Sequence, residues 1–253
     1  MSKGSSKVRA DVLLVERSLA ESRTKAQAMI MAGRVWIGET RVDKAGTALL
    51  RSAELRVDEL PRFVSRGGDK LDHAVTTFAA AGLEVADKIC VDVGASTGGF
   101  TDCLLQRGAR QVHAIDVGYG QLHPRLRQDP QVEVRERTNA RHLTAGDFDE
   151  PVDLVVVDAS FISIGKLIGA IAAILGARGE LVALIKPQFE AGKEAVARGR
   201  GVIRDAEVRQ QAIDDAVAAI CRAGFVEVAH TDSPIKGPKG NLEHFVYARR
   251  LEG

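Results

Sequence analysis

The sequence predicts an α/β protein in which a doubly wound, mostly parallel sheet follows a small N-terminal α+β module. Three observations carry that expectation. From residue 88 onward, apolar β-branched runs alternate with stretches of helical periodicity, as in repeated β-α-β units whose strands are buried on both faces. The first of those runs ends in a glycine-rich turn, "VDVGASTGGFTD". Charge also divides the chain: 13 lysines and arginines meet 8 carboxylates in residues 1–66, whereas 22 meet 26 in the rest.

At 253 residues, 45% hydrophobic and 27% charged, the chain can fill a full-sized core and reads as an ordinary globular protein. The polar, basic start "MSKGSSKVRADVLL" has no apolar core of signal-peptide length, and no run approaches the roughly 18 apolar residues of a membrane span. A cytoplasmic protein without a membrane partner is therefore expected. Cys90, Cys103 and Cys221 are far apart, with no Cys-x-x-Cys pair or nearby histidine at ligand spacing, which argues against a disulfide framework and a structural metal.

The elements follow in order. "RADVLLVERSLA" (9–20) and "SRTKAQAMIMAG" (22–33) carry apolar residues at three- and four-residue spacing and predict two short helices, with Ser22 as N-cap and Gly33 as stop. "RVWIG" and "ELRV" read as short strands, with "DKAG" as a turn between them. This makes a unit spanning 8–60, of binding-module size, whose basic excess suggests a polyanionic partner. Pro61 and the pair Gly67-Gly68 mark a linker over 61–68, and a second domain is expected over 69–253. "DKLDHAVTTFAAAG" restores helical periodicity up to Gly82. Strands are then expected in "KICVDVGAS", "QVHAIDVG", "VEVRERTNA", "VDLVVVDAS", "GELVALIKPQF", "FVEVAHTDS" and "EHFVYARR", and helices in "GGFTDCLLQRG", "SIGKLIGAIAAILG" and "DAEVRQQAIDDAVAAICRAG".

In such a sheet the ligand crevice lies at the carboxyl ends of the strands, so residues that end strands are the candidates for chemistry. The glycine turn lets the backbone approach a ligand and opens into a helix N-terminus. Its spacing is G-x-x-x-G-G, neither the dinucleotide G-x-G-x-x-G nor a Walker sequence. Asp116, ending the next strand, occupies the place where an acid accepts ribose hydroxyls. Together these features suit either NAD or S-adenosylmethionine. The candidate cofactor residues are Asp92, Gly94, Ser96, Gly98, Gly99 and Phe100 along the turn, with Asp116 and Asn139. Asp158 and Lys186 end two further apolar strands expected to be neighbours, so both should face one cleft. A lysine at a sheet rim can also simply reach solvent.

Two resemblances sharpen this reading. "ESRTKAQAMIMAGRVWIG" followed by "VDKAG" resembles the S4 RNA-binding domain, which implies that Arg23, Lys25 and Arg34 lie on or beside the face that grips RNA backbone; Arg9 and Arg66 are further candidates for RNA contact. With that segment, "RGGDKL", "VDVGASTGGFTD", "DVGYGQL", "ERTNAR", "VVVDASFIS", "LIKPQFEAGK", "RGRGVIRD" and "SPIKGPKGNLEHF" are similar to the TlyA family over residues 8–250. Its members are described as haemolysin A or as ribosomal RNA 2′-O-methyltransferases with an FtsJ-type, Rossmann-like catalytic domain. The resemblance implies methylation of cytidine ribose in ribosomal RNA or ribosomal subunits, with S-adenosylmethionine as cofactor; no metal is expected. It also implies a catalytic Lys-Asp-Lys-Glu tetrad of Lys70, Asp158, Lys186 and Glu243. In-line transfer to a ribose hydroxyl would use Lys186 to support the developing alkoxide or to take its proton. The basic segments "GKEAVARGRG" and "KGPKG" are expected as loops near bound RNA. A non-catalytic ribosome-assembly factor and a membrane-active haemolysin are the alternative functions, separated from the first by absence of methyl transfer and by liposome leakage, respectively. Oligomeric state is not legible in the sequence.

Overall fold

The computed structural model describes residues 6–59 and 61–250. The chain divides between Pro61 and Arg62 into two compact units.

In the first unit, helices α1 (Ala10–Glu16) and α2 (Arg23–Met31) form where the apolar spacing predicts them. The Ser22 hydroxyl caps α2 by accepting from the Lys25 N–H, and Gly33 ends the turn that follows at φ +70°. Short strands β1 (Lys7–Arg9) and β4 (Ala48–Leu50) pair antiparallel, while β2 (Val35–Ile37) pairs with both β3 (Thr40–Arg41) and β5 (Leu55–Val57). Leu13, Leu14, Ala26, Ile30, Val35 and Leu49 make a small core of their own.

The second unit opens with α3 (Arg66–Phe78), which takes in Gly67 and Gly68, residues that the sequence reading gives to a linker. Packing explains the glycine at 68: a Cβ there would stand 2.3 Å from the Phe63 side chain. A seven-stranded sheet follows, in the order β11-β12-β10-β9-β6-β7-β8. Its strands are β6 (Ile89–Val93), β7 (Gln111–Ile115), β8 (Val132–Arg135), β9 (Val152–Val157), β10 (Leu175–Ile185), β11 (Phe225–Asp232) and β12 (His244–Arg250). The first five run parallel, and β12 is antiparallel to both β10 and β11, which gives the expected mostly parallel sheet an antiparallel edge. Helices α4 (Gly99–Gln106), α5 (Pro124–Arg127), α6 (Ile168–Ile174), α7 (Pro187–Glu190), α8 (Lys193–Arg198) and α9 (Ala206–Arg222) complete the unit.

Alternate residues of each central strand feed two cores, as a sheet covered on both sides requires. Val91, Val155, Leu181 and Val246 pack with Ile171 of α6 and Ile213 and Ile220 of α9. Cys90, Val156, Val182 and Tyr247 pack on the other face with Leu71 and Phe78 of α3 and Leu104 of α4. Both faces are covered, so the ends of the strands are left to carry polar function.

Candidate active site

Parallel pairing of β9 with β10 sets Ala183 opposite Val157, so the residues that follow these strands emerge side by side. The Lys186 ammonium meets the Asp158 carboxylate at 2.6 Å. It also donates to the Asp158 carbonyl at 3.1 Å and to the Ser160 hydroxyl at 2.9 Å, so the ammonium is held by one ion pair and two hydrogen bonds, while the Asp158 Oδ1 it faces accepts no hydrogen bond among the described residues. A second pair stands beside the first. Lys70, in the second turn of α3, donates to Glu243 at 2.6 Å, and both are buried, at 8% and 1% exposure. A buried carboxylate of this kind is tolerated because it is paired. Glu243 directly precedes β12, so the antiparallel edge supplies the fourth residue of the expected tetrad.

Two clefts meet at Asp158. The smaller is bordered by Arg66, Lys70, Ser96, Phe100, Asp158 and Pro238. The larger, of about 390 Å³, runs past Gly94, Ser96, Asp116, Asn139, Asp158 and Phe161, with Val93, Ile115, Ile162 and Leu167 as apolar wall. Lys186 borders neither cleft; its amine is held against Asp158 and Ser160, which border the larger one.

The glycine turn is shaped by close approach. Gly94, at φ +88°, lies against the end of β9, where a Cβ would meet the Asp158 carbonyl at 3.0 Å. At Gly99 a Cβ would stand 2.7 Å from the Gly68 N–H, so the first turns of α3 and α4 touch. Asp116 ties the turn to β7: its carboxylate accepts from the Ser96 N–H at 2.8 Å and from the Gly118 N–H at 2.7 Å.

Of the candidate cofactor residues, Gly94, Ser96, Asp116 and Asn139 border the larger cleft, while Gly99 and Phe100 border the smaller. Asp92 and Gly98 border neither. Asp92 is fully buried beneath α4 and accepts from the Thr101 N–H at 2.9 Å and hydroxyl at 2.7 Å, anchoring the helix that the turn leads into. Burial pushes its carboxyl up to about 7. Gly98, at φ +96°, leaves room for Leu122 and Leu126. The sequence reading missed Phe161. It is 90% exposed at φ +66°, a left-handed conformation rare for a bulky residue, and its ring stands 5.1 Å from that of Phe189. Its place three residues after Asp158, on a polar loop, was the available signal.

In the first unit the basic residues of the RNA expectation have local partners. Arg9 and Arg23 both bind the buried Asp11, at 3.0 and 3.1 Å, and hold its carboxyl below the usual carboxylate range. Lys25 pairs with Glu21, and Arg34 donates to the Asp58 carbonyl. Arg66, in the second unit, is exposed beside the smaller cleft. Among the described residues no cluster of three or more His, Cys, Asp or Glu side chains could hold a metal ion, and no helix is long and apolar enough to cross a membrane.

Comparison with known proteins gives this geometry a family. The profile of the FtsJ-like methyltransferases matches residues 63–250, and that of the S4 domain matches residues 8–55. The chain is 44% identical over 245 residues to the 16S/23S rRNA (cytidine-2'-O)-methyltransferase TlyA of Mycobacterium tuberculosis, covering 96% of this chain and 90% of that one. It is 42% identical to a protein named Hemolysin A from Brachyspira hyodysenteriae, covering 95% of this chain and 99% of the other. A solved structure from Streptococcus thermophilus, which carries a hemolysin name, shares 39% identity with a TM-score of 0.73 over 99% of this chain and 90% of that one. The chain belongs to the TlyA family, an S4 domain joined to an FtsJ-like methyltransferase domain.

Proposed function

We propose that the protein methylates the 2′-hydroxyl of cytidine ribose in ribosomal RNA, using S-adenosylmethionine and the tetrad Lys70, Asp158, Lys186 and Glu243. The observation that carries this reading is the convergence of two lysine–carboxylate pairs at the junction of two clefts, beside a glycine turn. The choice of RNA is supported by the S4 domain and by the activity named for the M. tuberculosis relative.

The larger cleft suits the cofactor. Its volume is within the range of small-molecule sites, its wall is apolar, and the Asp116 carboxylate stands where ribose hydroxyls would seek an acceptor. Gly94, Ser96 and Asn139 would border the nucleoside, and the Asp158 carboxylate would offset a sulfonium charge. S-adenosylmethionine, when bound, supplies a methyl already activated for displacement. The protein's share is then positioning and charge stabilisation.

The smaller cleft, bordered by Lys70 and Arg66, receives the ribose. Lys186 serves as a hydrogen-bond donor: its ammonium is already held by the Asp158 carboxylate, the Asp158 carbonyl and the Ser160 hydroxyl, and the attacking oxygen takes the place of one of these as negative charge grows on it. Asp158, which borders both clefts, is the acceptor available for the hydroxyl proton. Glu243 keeps the Lys70 amine turned toward the site. Phe161 offers an exposed ring on which a base can stack.

The test is transfer of labelled methyl to isolated ribosomal subunits, with the product digested in alkali. Label is expected in an alkali-resistant dinucleotide that begins with 2′-O-methylcytidine. Label on a base, or on no RNA despite tight binding, would overturn the proposal.

A further inference from the structure

Two basic segments of the catalytic unit, "RGRGVIR" (198–204) and "KGPKG" (236–240), are distant in sequence but joined in space by one side chain. Asn241 is 2% exposed. Its amide oxygen accepts from the Ile203 N–H at 2.9 Å, and its amide nitrogen donates to the Gly201 carbonyl at 2.9 Å. Its own carbonyl accepts from the Gly237 N–H at 2.9 Å, which closes the second segment into a turn. The Lys239 side chain lies over Gly201, 3.7 Å from where a Cβ would be. One buried amide therefore gathers the two segments into one neighbourhood.

The charges there are uncompensated. Arg198, Arg200, Lys236 and Lys239 are all exposed, and none has an ion-pair partner among the described residues. The first unit is arranged differently, since Arg9, Arg23, Lys25, Arg41 and Arg51 each face a carboxylate. Like charges left unpaired together repel one another and suit a polyanion. The neighbourhood also adjoins the tetrad. Pro238 borders the smaller cleft with Lys70 and Asp158, Glu243 follows Asn241 by two residues, and a Cβ on Gly237 would stand 2.4 Å from the Glu243 carboxylate.

We propose that these two segments form a single clamp for RNA phosphates on the catalytic unit, and that Asn241 is the positioning residue that holds the clamp in register with Glu243. The proposal rests on the RNA methyltransferase reading and deepens it: the strand carrying the target ribose is gripped beside the tetrad, independently of the S4 domain.

The full-length protein with Arg198, Arg200, Lys236 and Lys239 all changed to alanine tests this, with ribosomal RNA as probe in both methyl transfer and binding over a range of salt. The expected result is a rise of roughly tenfold or more in KM for RNA, and a slope of log affinity against log salt that is shallower by about 3. Turnover of bound RNA should stay within about threefold, and cofactor affinity should be unchanged. Asn241→Ala should flatten the salt slope as well, although it removes no charge, and should also lower kcat. An unchanged KM and an unchanged slope in the fourfold variant would overturn the clamp, and an unchanged slope in Asn241→Ala would overturn the positioning role. A wild type that binds RNA but methylates none would instead overturn the underlying reading, while the salt slopes would still decide the clamp.

Discussion

The Lys186 ammonium and the Asp158 carboxylate, each just beyond the end of one of two neighbouring parallel strands, stand 2.6 Å apart. The apolar register of β9 and β10 fixes that distance, because Val157 and Ala183 are paired and each strand delivers its polar residue shortly afterwards. Asp158 keeps 24% of its side chain exposed, so the pair can exchange a partner with an incoming hydroxyl. Asp158→Asn is expected to lower methyl transfer by about 10²-fold or more, with a small change in thermal midpoint. Initial rates and a melting curve on the same preparation check this.

Gly237 lies against Glu243 of the proposed tetrad. An alanine methyl there would stand 2.4 Å from the Glu243 carboxylate, which is buried and held by Lys70. The methyl must displace that carboxylate, and a displacement near 1 Å at a catalytic group can cost about 10²-fold in rate. Gly237→Ala should therefore reduce kcat by roughly ten- to a hundredfold while leaving cofactor affinity unchanged, as measured by turnover and by calorimetry.

Asp116 has a different expected effect, because it borders only the larger cleft, the one proposed for the cofactor. Asp116→Ala removes the acceptor for the Ser96 and Gly118 N–H groups as well as the one facing the ligand. Charged hydrogen bonds contribute about 1.5–3 kcal/mol, so cofactor affinity should fall by more than about tenfold. Calorimetric titration with S-adenosylhomocysteine measures it.

Asp92 makes folding stability depend on pH. Burial raises its carboxyl to about 7 in the folded chain, whereas the unfolded chain ionises near 3.9. Between those values the folded form keeps a proton that the unfolded form has lost. The Asp92 contribution therefore falls as pH rises from about 4 to about 7 and is level above that. Asp92→Asn keeps an oxygen for the Thr101 donors and cannot ionise. Its stability relative to the wild type should rise across that interval in denaturant titrations, and a difference independent of pH would contradict this.

Much of this was legible because long apolar strands state their own burial. β6, β9 and β10 can be read directly, and reading them places Asp158 and Lys186 at strand ends. Lys70 and Glu243 were legible only through the resemblance to a family, since nothing local in "RGGDKL" or "GNLEHF" shows that residues 173 positions apart form a buried pair. Strands β1, β3 and β4, of two or three residues each, are too short for periodicity to appear. Gly67 and Gly68 look like a chain break but lie in the first turn of α3, where the bulk of Phe63 decides the residue at 68. The expected loop over 192–201 contains α8, and Asp92 stands near the start of the turn motif, still within β6, and is fully buried. In both cases tertiary packing overrides what the local sequence suggests.

The most direct measurement is the rate of methyl transfer to ribosomal RNA by Lys186→Ala at saturating RNA, with the affinity for S-adenosylmethionine measured alongside. A loss of about 10²- to 10⁴-fold in rate with cofactor and RNA affinities intact is the expected result. A variant that transfers methyl at close to the wild-type rate would contradict a catalytic role for Lys186 and reduce it to a buried partner of Asp158.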